Sequence, residues 1–244
     1  MIDIHAHVIP AVDDGSSSVD ETFNMIKEAK QAGFTDIILT SHFLLNHYET
    51  EPSELIFWKD KLQDVLDIQE ININLYSGME IYISNQMKEL IKSKRLLTLA
   101  NSRYMLIELP MGSTVKYLEQ VLYELESMEI KPIIAHPERY KCVQDNPEIV
   151  RDYIDKGALL QCNYASILGF YGNTVKKTVK KLLKNNYVNF LGSDCHKQNQ
   201  IYSIVPEAVK KIKKIIGDSD FEKISTLNPQ KILDNEPWEY DDED

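Results

Sequence analysis

Ile2-Asp3-Ile4-His5-Ala6-His7 opens the chain. Read as a strand, it places side chains two apart on one face, so His5 and His7 present two imidazoles together. Two neutral imidazoles on a rigid strand make half of a first-row metal site, because imidazole is the ligand that Zn, Mn and Fe share. The strand follows the initiator methionine directly, so this reading expects no leader. Whether the pair is a site depends on where the other histidines and carboxylates fall.

Composition narrows the classes first. At 244 residues the chain fits one large domain, and α/β barrels of this size are ordinary. No stretch approaches the roughly 18 apolar residues of a membrane span, so no membrane insertion is expected. Three cysteines, an odd number, suit a reduced cytoplasmic protein. A net charge of −11 argues against nucleic acid as a partner. An anionic substrate would then need something other than surface lysines to hold it, and bound metal ions would serve.

Moving outward from the first strand, Asp13-Asp14-Gly15 is turn chemistry and Ser18-x-x-Glu21 is a capping box that opens a helix closed by Gly33. Short apolar runs ending in polar residues follow at 36–42, 72–80, 104–108, 132–136, 159–163 and 188–194, each suiting a buried parallel strand. Helices are expected between them at 52–66, 84–94, 115–128, 147–156 and from the sixth strand to 185, with another at 206–216. Seven alternating strand-helix units predict a parallel sheet closed into a β/α barrel. Residues 1–236 read as one domain, and the acidic residues 237–244 as a disordered tail.

On that map the ionisable residues fall in one place. His5, His7, His42, Glu80, Glu108, His136, Asp194 and His196 each lie at or just past the C-terminal end of an expected strand. Five of the six histidines are in that set, which a scatter among helices and surface loops does not explain. The C-terminal rim is where catalytic groups of β/α barrels converge. Glu108 lies inside the apolar run Met-Leu-Ile-Glu-Leu, where an unpaired carboxylate is costly and a metal offsets the cost. Asp194-x-His196 repeats the opening spacing, and in a closed barrel the first and seventh strands are neighbours. His47 lies off this pattern and reads as surface.

These residues carry a resemblance. His5-x-His7, Asp14, His42, Glu80, Glu108, His136-Pro-Glu-Arg139 and Asp194-x-His196 resemble the polymerase and histidinol phosphatase superfamily. Within it, Val12-Asp-Asp-Gly15, Ser77-Gly-Met-Glu80-Ile-Tyr, Asn101-Ser-Arg-Tyr and Ala135-His-Pro-Glu-Arg-Tyr140 are similar to the bacterial capsule-associated tyrosine-protein phosphatases. The match spans nearly the whole chain. It implies a distorted seven-stranded parallel barrel with a trinuclear centre on the C-terminal rim, manganese most of all, with Fe or Zn compatible with the donors. By the same resemblance, His5, His7, Glu80 and Asp194 hold a first ion. Glu80 bridges to a second with Glu108 and His136, and Asp14, His42 and His196 hold the third. Arg139 matches the phosphate-binding arginine, and Asp14 and His42 fall in the catalytic set with it. The family's second arginine after the final Asp-x-His has no counterpart, since no arginine follows Arg151, which leaves Lys197 as the cation there.

The implied activity is hydrolysis of phosphotyrosine by a metal-activated hydroxide, on a bacterial tyrosine kinase, or its tail, that regulates capsule or exopolysaccharide synthesis. A histidinol-phosphatase-like enzyme or a phosphodiesterase on the same barrel is the alternative. A cysteine phosphatase is excluded directly: it needs an arginine six residues after its thiolate, and Cys142, Cys162 and Cys195 are followed there by Glu148, Leu168 and Ile201. A non-enzymatic metal staple fits poorly, because structural zinc sites are sulphur-rich and closed. Lys176, Lys177, Lys180, Lys181 and Lys184 read as a solvated helix face, with an acidic kinase tail as the functional alternative. Phe43, Tyr82, Tyr140 and Tyr164 follow strand ends, either to pack the barrel top or to touch an aryl substrate.

Overall fold

The computed structural model describes residues 1–112 and 114–238. Seven parallel strands lie side by side in sequence order: β1 Ile2–Ala6, β2 Asp36–Phe43, β3 Asn74–Tyr82, β4 Tyr104–Glu108, β5 Lys131–Ala135, β6 Leu159–Asn163 and β7 Phe190–Gly192. The helices between them are α1 Val19–Gln31, α2 Pro52–Ile68, α3 Met87–Lys92, α4 Leu118–Glu126, α5 Lys141–Asp145, α6 Val150–Asp155 and α7 Asn173–Lys184, with α8 Ile201–Glu222 and α9 Asn228–Leu233 after β7. The expected seven-unit α/β barrel is therefore present. Its last seam is closed by two backbone bonds, Asp194 N to His5 O at 2.8 Å and His7 N to Cys195 O at 3.0 Å.

Strand alternation sorts the apolar residues into two clusters. Ile38, Leu106, Ile133, Leu159 and Phe190 join Ile2 and Ile4 in the lumen, where Leu99 and Ile232 also pack. Their strand neighbours Leu39, Met105, Ile107, Ile134, Leu160 and Leu191 turn outward against helix residues such as Leu62, Leu122 and Val179. Burial on both faces is why the strands read as continuous apolar runs.

β1 departs from simple alternation. Asp3 pairs with Ile37 but Ala6 with Leu39, so one extra residue is accommodated between them. Ile4 accordingly belongs to the lumen cluster while Ala6 belongs to the outer one. The buried Asp3 carboxylate pins this bulge. Its Oδ1 accepts from Ser193 N at 2.9 Å and His5 N at 3.3 Å, and its Oδ2 from the Tyr202 hydroxyl at 2.9 Å. Bulges re-aim side chains next to active sites, and this one turns His5 and His7 toward the rim.

Some elements differ from expectation for local reasons. The helix expected between the sixth strand and 185 is a 3₁₀ turn, Tyr164–Leu168, then α7, because Gly169 and Gly172 sit at φ 86° and 101°. The stretch 147–156 splits into a 3₁₀ turn, Pro147–Ile149, and α6. α8 starts well before Pro206, which lies inside it. The N-cap half of the α1 capping box is present, Ser18 Oγ accepting from Glu21 N at 3.2 Å, which contributes about 1 kcal/mol, while the Glu21 carboxylate accepts from Ser17 N at 2.8 Å rather than from Ser18. Trp238 sets its ring 5.6 Å from Phe190, and the remainder of the expected acidic tail, 239–244, lies outside the described residues. No helix among the described residues is long and apolar enough to cross a membrane.

Candidate metal centre

The rim gathers all nine residues of the expected ligand set. His5 lies on β1 with His7 just past it, His42 on β2, Glu80 on β3 and Glu108 at the end of β4; His136 follows β5 and Asp194 and His196 follow β7. Asp14 reaches in from the loop before α1. Parallel register does much of the positioning: His42 is paired with Glu80 across β2 and β3, and Tyr82 with Glu108 across β3 and β4. His136 and Asp194 take left-handed backbone conformations, φ 32° and 53°, which cost energy in residues other than glycine and mark constrained sites. A cavity of about 330 Å³ opens over the cluster, with Arg139 on its wall.

At the buried end, four donor atoms crowd around one point. His5 Nε2 lies 3.1 Å from His7 Nε2, 3.2 Å from Glu80 Oε2 and 3.4 Å from Asp194 Oδ1. His7 Nε2 lies 3.2 Å from Glu80 Oε2 and 3.6 Å from Asp194 Oδ1. Neighbouring hydrogen bonds fix the tautomers. His5 Nδ1 donates to Gln161 Oε1 at 2.8 Å and His7 Nδ1 to Asp13 Oδ2 at 3.0 Å, so the neutral rings turn Nε2 lone pairs toward each other. Buried Glu80 Oε2 faces His5 and His7 Nε2 at 3.2 Å and His42 Nδ1 at 3.1 Å. Donors this close repel one another unless protons or a metal ion lie among them. A tetrahedral ion about 2.1 Å from each ligand would space the donors about 3.4 Å apart.

The electrostatics agree. Burial opposes charge on His5, yet Glu80 and Asp194 outweigh it and raise the imidazole to about 9. Burial also opposes ionisation of Glu80, but the charge of His5 and the bonds from His136, His5 and His7 hold it well below the usual carboxylate range. Asp194 is lowered in the same way, by His5 and His136 against burial. The pocket calls for positive charge, supplied by protons or displaced by metal.

Two further groups adjoin it. His42 Nδ1 lies 3.1 Å from Glu80 Oε2 and 4.0 Å from Glu108 Oε2. Its Nε2 lies 3.5 Å from Asp14 Oδ1, as does that of His196. His42 thus faces both groups. His136 Nε2 is 2.9 Å from Glu80 Oε1 and 3.8 Å from Glu108 Oε1. Glu108 is pushed up to about 7 by burial and then by the Glu80 charge.

A family model of capsular polysaccharide synthesis proteins, CpsB/CapC, matches residues 1–234. The chain belongs to the CpsB/CapC family. Its relatives include CapC of Staphylococcus aureus, 38% identical over 80% of this chain and 77% of that one. The tyrosine-protein phosphatase YwqE of Bacillus subtilis is 31% identical over 97% of this chain and 92% of that one. The matching crystal structure comes from work on YwqE and Streptococcus pneumoniae CpsB, metal-dependent tyrosine phosphatases. It superposes with a TM-score of 0.91 at 30% identity, covering 97% of this chain and 96% of that one. These relatives bear out the resemblance read from the motifs.

In this CpsB/CapC chain several residues at the site were not singled out from sequence. Asp13 orients His7 and accepts from His42 N at 2.8 Å. Gln161 orients His5, and Asn163 Nδ2 donates to Asp194 Oδ2 at 2.7 Å. His47, read as surface, is exposed but lines the cavity together with Leu44 and Tyr48. A turn through Asn46, at φ 63°, and a bridge between Leu44 and Tyr48 fold this loop back over His42, whose ring Tyr48 faces at 5.9 Å.

One expectation, that of Lys197, is corrected, and the open ones are resolved. Lys197 gives its ammonium to the Gly15 carbonyl and is not on the cavity wall. Of the four aromatics, only Tyr82 lines the cavity. Phe43, Tyr140 and Tyr164 are buried in the outer core. Cys195 is also buried there, its thiol pushed up to about 12 by burial and then by Asp3.

Proposed function

We propose that this chain is a cytoplasmic, metal-dependent protein-tyrosine phosphatase that removes phosphate from a bacterial tyrosine kinase regulating capsule or exopolysaccharide synthesis. The observation that carries the reading is the four-donor cluster of His5, His7, Glu80 and Asp194, with Arg139 bonded to its edge. In this assignment those four hold one ion, Glu80 with Glu108 and His136 a second, and Asp14, His42 and His196 a third. Oxygen and nitrogen donors suit manganese, iron or zinc alike, and the family resemblance favours manganese among them. Bound there, the ions supply Lewis-acid charge and lower the pKa of water toward neutrality.

The chain's own residues do the rest. Arg139 offers a planar guanidinium to phosphoryl oxygens beside the cluster. Asp13 and Gln161 keep His5 and His7 in the tautomer that bares Nε2. His42 and Asp14 border the open side, where substrate enters. Leu44, Tyr48 and Tyr82 give the cavity an apolar, aromatic wall, which suits a phenyl ring better than an imidazole-alkyl chain. A phenolate leaving group, with a pKa near 10, asks little of a general acid.

The test compares a phosphotyrosine peptide, histidinol phosphate and a bis-aryl phosphodiester, each with added Mn²⁺ and with chelator. The peptide is expected to be turned over fastest, and only with metal. Faster turnover of histidinol phosphate or the diester replaces this reading with the small-molecule one.

A further inference from the structure

Residues 173–214 carry ten lysines against two carboxylates, a net of +8 within a chain whose total is −11. This stretch spans α7, β7 and most of α8, and α7 packs beside α8. Lys181, Lys211 and Lys213 are neutralised by Glu148, Glu207 and Asp218 at 2.7–2.9 Å. Lys176, Lys177, Lys180, Lys184, Lys210 and Lys214 form no ion pair among the described residues. The two helices share one patch. Glu207 on α8 is lowered first by its hydrogen bond from Lys211 and that lysine's charge, and then by Lys176 of α7 and by Lys210.

The patch is continuous with the metal centre. Arg139 lies over the Tyr171 ring at 4.7 Å, and Tyr171 contacts Phe170 ring to ring at 5.1 Å. Phe170 is 51% exposed. Lys176 lies beside the next glycine, Gly169, its Cδ 3.4 Å from where a Cβ would stand. A path therefore runs from the phosphate-gripping arginine, over an exposed aromatic, onto unpaired lysines.

We infer that the α7–α8 lysine ridge docks the acidic stretch flanking a phosphotyrosine, with Phe170 contacting the polypeptide between ridge and cavity. The inference rests on the phosphatase reading and adds the charge of the substrate segment to it. Complementary charge raises encounter rates and selects partners more than it adds affinity. A polypeptide occupant is favoured over a membrane or nucleic acid by the short path to the cavity and by the negative charge of the rest of the chain, which repels an extended polyanion.

The experiment uses the metal-loaded protein and three substrates: a phosphotyrosine peptide with acidic flanks, one of equal length with neutral flanks, and p-nitrophenyl phosphate. The wild type is expected to prefer the acidic peptide by about tenfold in kcat/KM, through KM, and to lose that preference as salt rises from 50 to 500 mM. The variant Lys176→Glu/Lys177→Glu/Lys180→Glu should abolish the preference while turning over p-nitrophenyl phosphate as the wild type does, which also shows that it folds. Equal kcat/KM for both peptides in the wild type overturns the ridge. So does a reversal variant that weakens binding to anionic vesicles but leaves the peptide preference intact. Failure on every phosphotyrosine substrate, p-nitrophenyl phosphate included, would instead sink the phosphatase reading itself.

Discussion

Arg139 Nη1 donates to Asp194 Oδ2 at 2.7 Å, while the other oxygen of Asp194 faces His5 Nε2 at 3.4 Å. One carboxylate thus ties Arg139 to the four-donor cluster. Asn163 donates to the same Oδ2 at 2.7 Å, so a second donor holds the carboxylate in place. A lysine has a compact ammonium and no planar fork, so it cannot offer Asp194 one nitrogen and a phosphoryl group a separate one. Arg139→Lys is therefore expected to lower kcat/KM on a phosphotyrosine peptide by about 100-fold. Steady-state kinetics check this, and a variant within threefold of wild type would show that charge alone suffices.

The Gln161 contact to His5 predicts a metal-affinity effect separate from catalysis. Gln161→Leu removes the acceptor that keeps a proton on Nδ1, freeing the ring to turn. Affinity for Mn²⁺ should fall by roughly 10–100-fold, measured by isothermal titration, whereas Gln161→Glu, which keeps an acceptor, should bind nearly normally. Equal losses in both variants would point to packing instead.

As pH rises, the stripped protein should lose stability while the stabilisation given by metal grows. His5 is raised to about 9, burial opposing and Glu80 and Asp194 prevailing. His7 is also raised, by Asp13 and Glu80 against burial. A base whose folded pKa is raised stabilises the fold below its unfolded value and loses that contribution as pH climbs through the folded one. Glu108, raised to about 7, adds a loss between its ordinary value and pH 7. His196, lowered to about 4 by burial and then His7, acts only below its ordinary value. Asp13 and Asp194 are lowered and matter only in acid. From pH 7 to 9, then, the Tm of the chelator-treated protein should fall by a few degrees. The Tm increment given by Mn²⁺ should grow over the same interval, because the ligands no longer have protons to shed. Thermal melts at pH 7, 8 and 9 with and without metal decide it, and parallel curves refute the assignment.

The cysteines should be dispensable for turnover. Cys195 and Cys162 are buried, and burial raises both thiols. The metal-loaded enzyme should keep more than half its activity after iodoacetamide, and Cys195→Ser should leave kcat within about twofold, since a thiolate is the reactive species and neither buried thiol supplies one. Inactivation by alkylation would return the cysteine route to consideration.

What the sequence made legible, and what it hid, follows from how far each interaction reaches along the chain. The strands announce themselves because lumen and helix layers both demand apolar residues, as at Ile37-Ile38-Leu39. Eight of the nine candidate ligands were legible because each stands at or just past the end of such a run, whereas Asp14, in the loop before α1, came from the family motif. Gln161 and Asp13 were missed because an orienting role exists only once β6 stands beside the rim, and Gln161 is far from His5 in sequence. The bulge in β1 has no local signature either; it depends on Asp3 reaching Ser193 and Tyr202 at the other end of the chain. His47 was hidden by a tight fold-back of its loop, although Asn46, a residue tolerant of the left-handed region, was a readable hint.

Among the described residues, two backbone bonds, His7 N to Cys195 O and Asp194 N to His5 O, make the ladder at the barrel's last seam. The four-donor cluster straddles that seam, His5 and His7 on one bank and Asp194 on the other. An ion there would work as a clasp on a hoop, and the nascent chain could not fasten it until Asp194, far along the sequence from His5, had been made. In the finished protein, the amides of His7 and Asp194 should be the backbone hydrogens whose exchange slows most when metal is added.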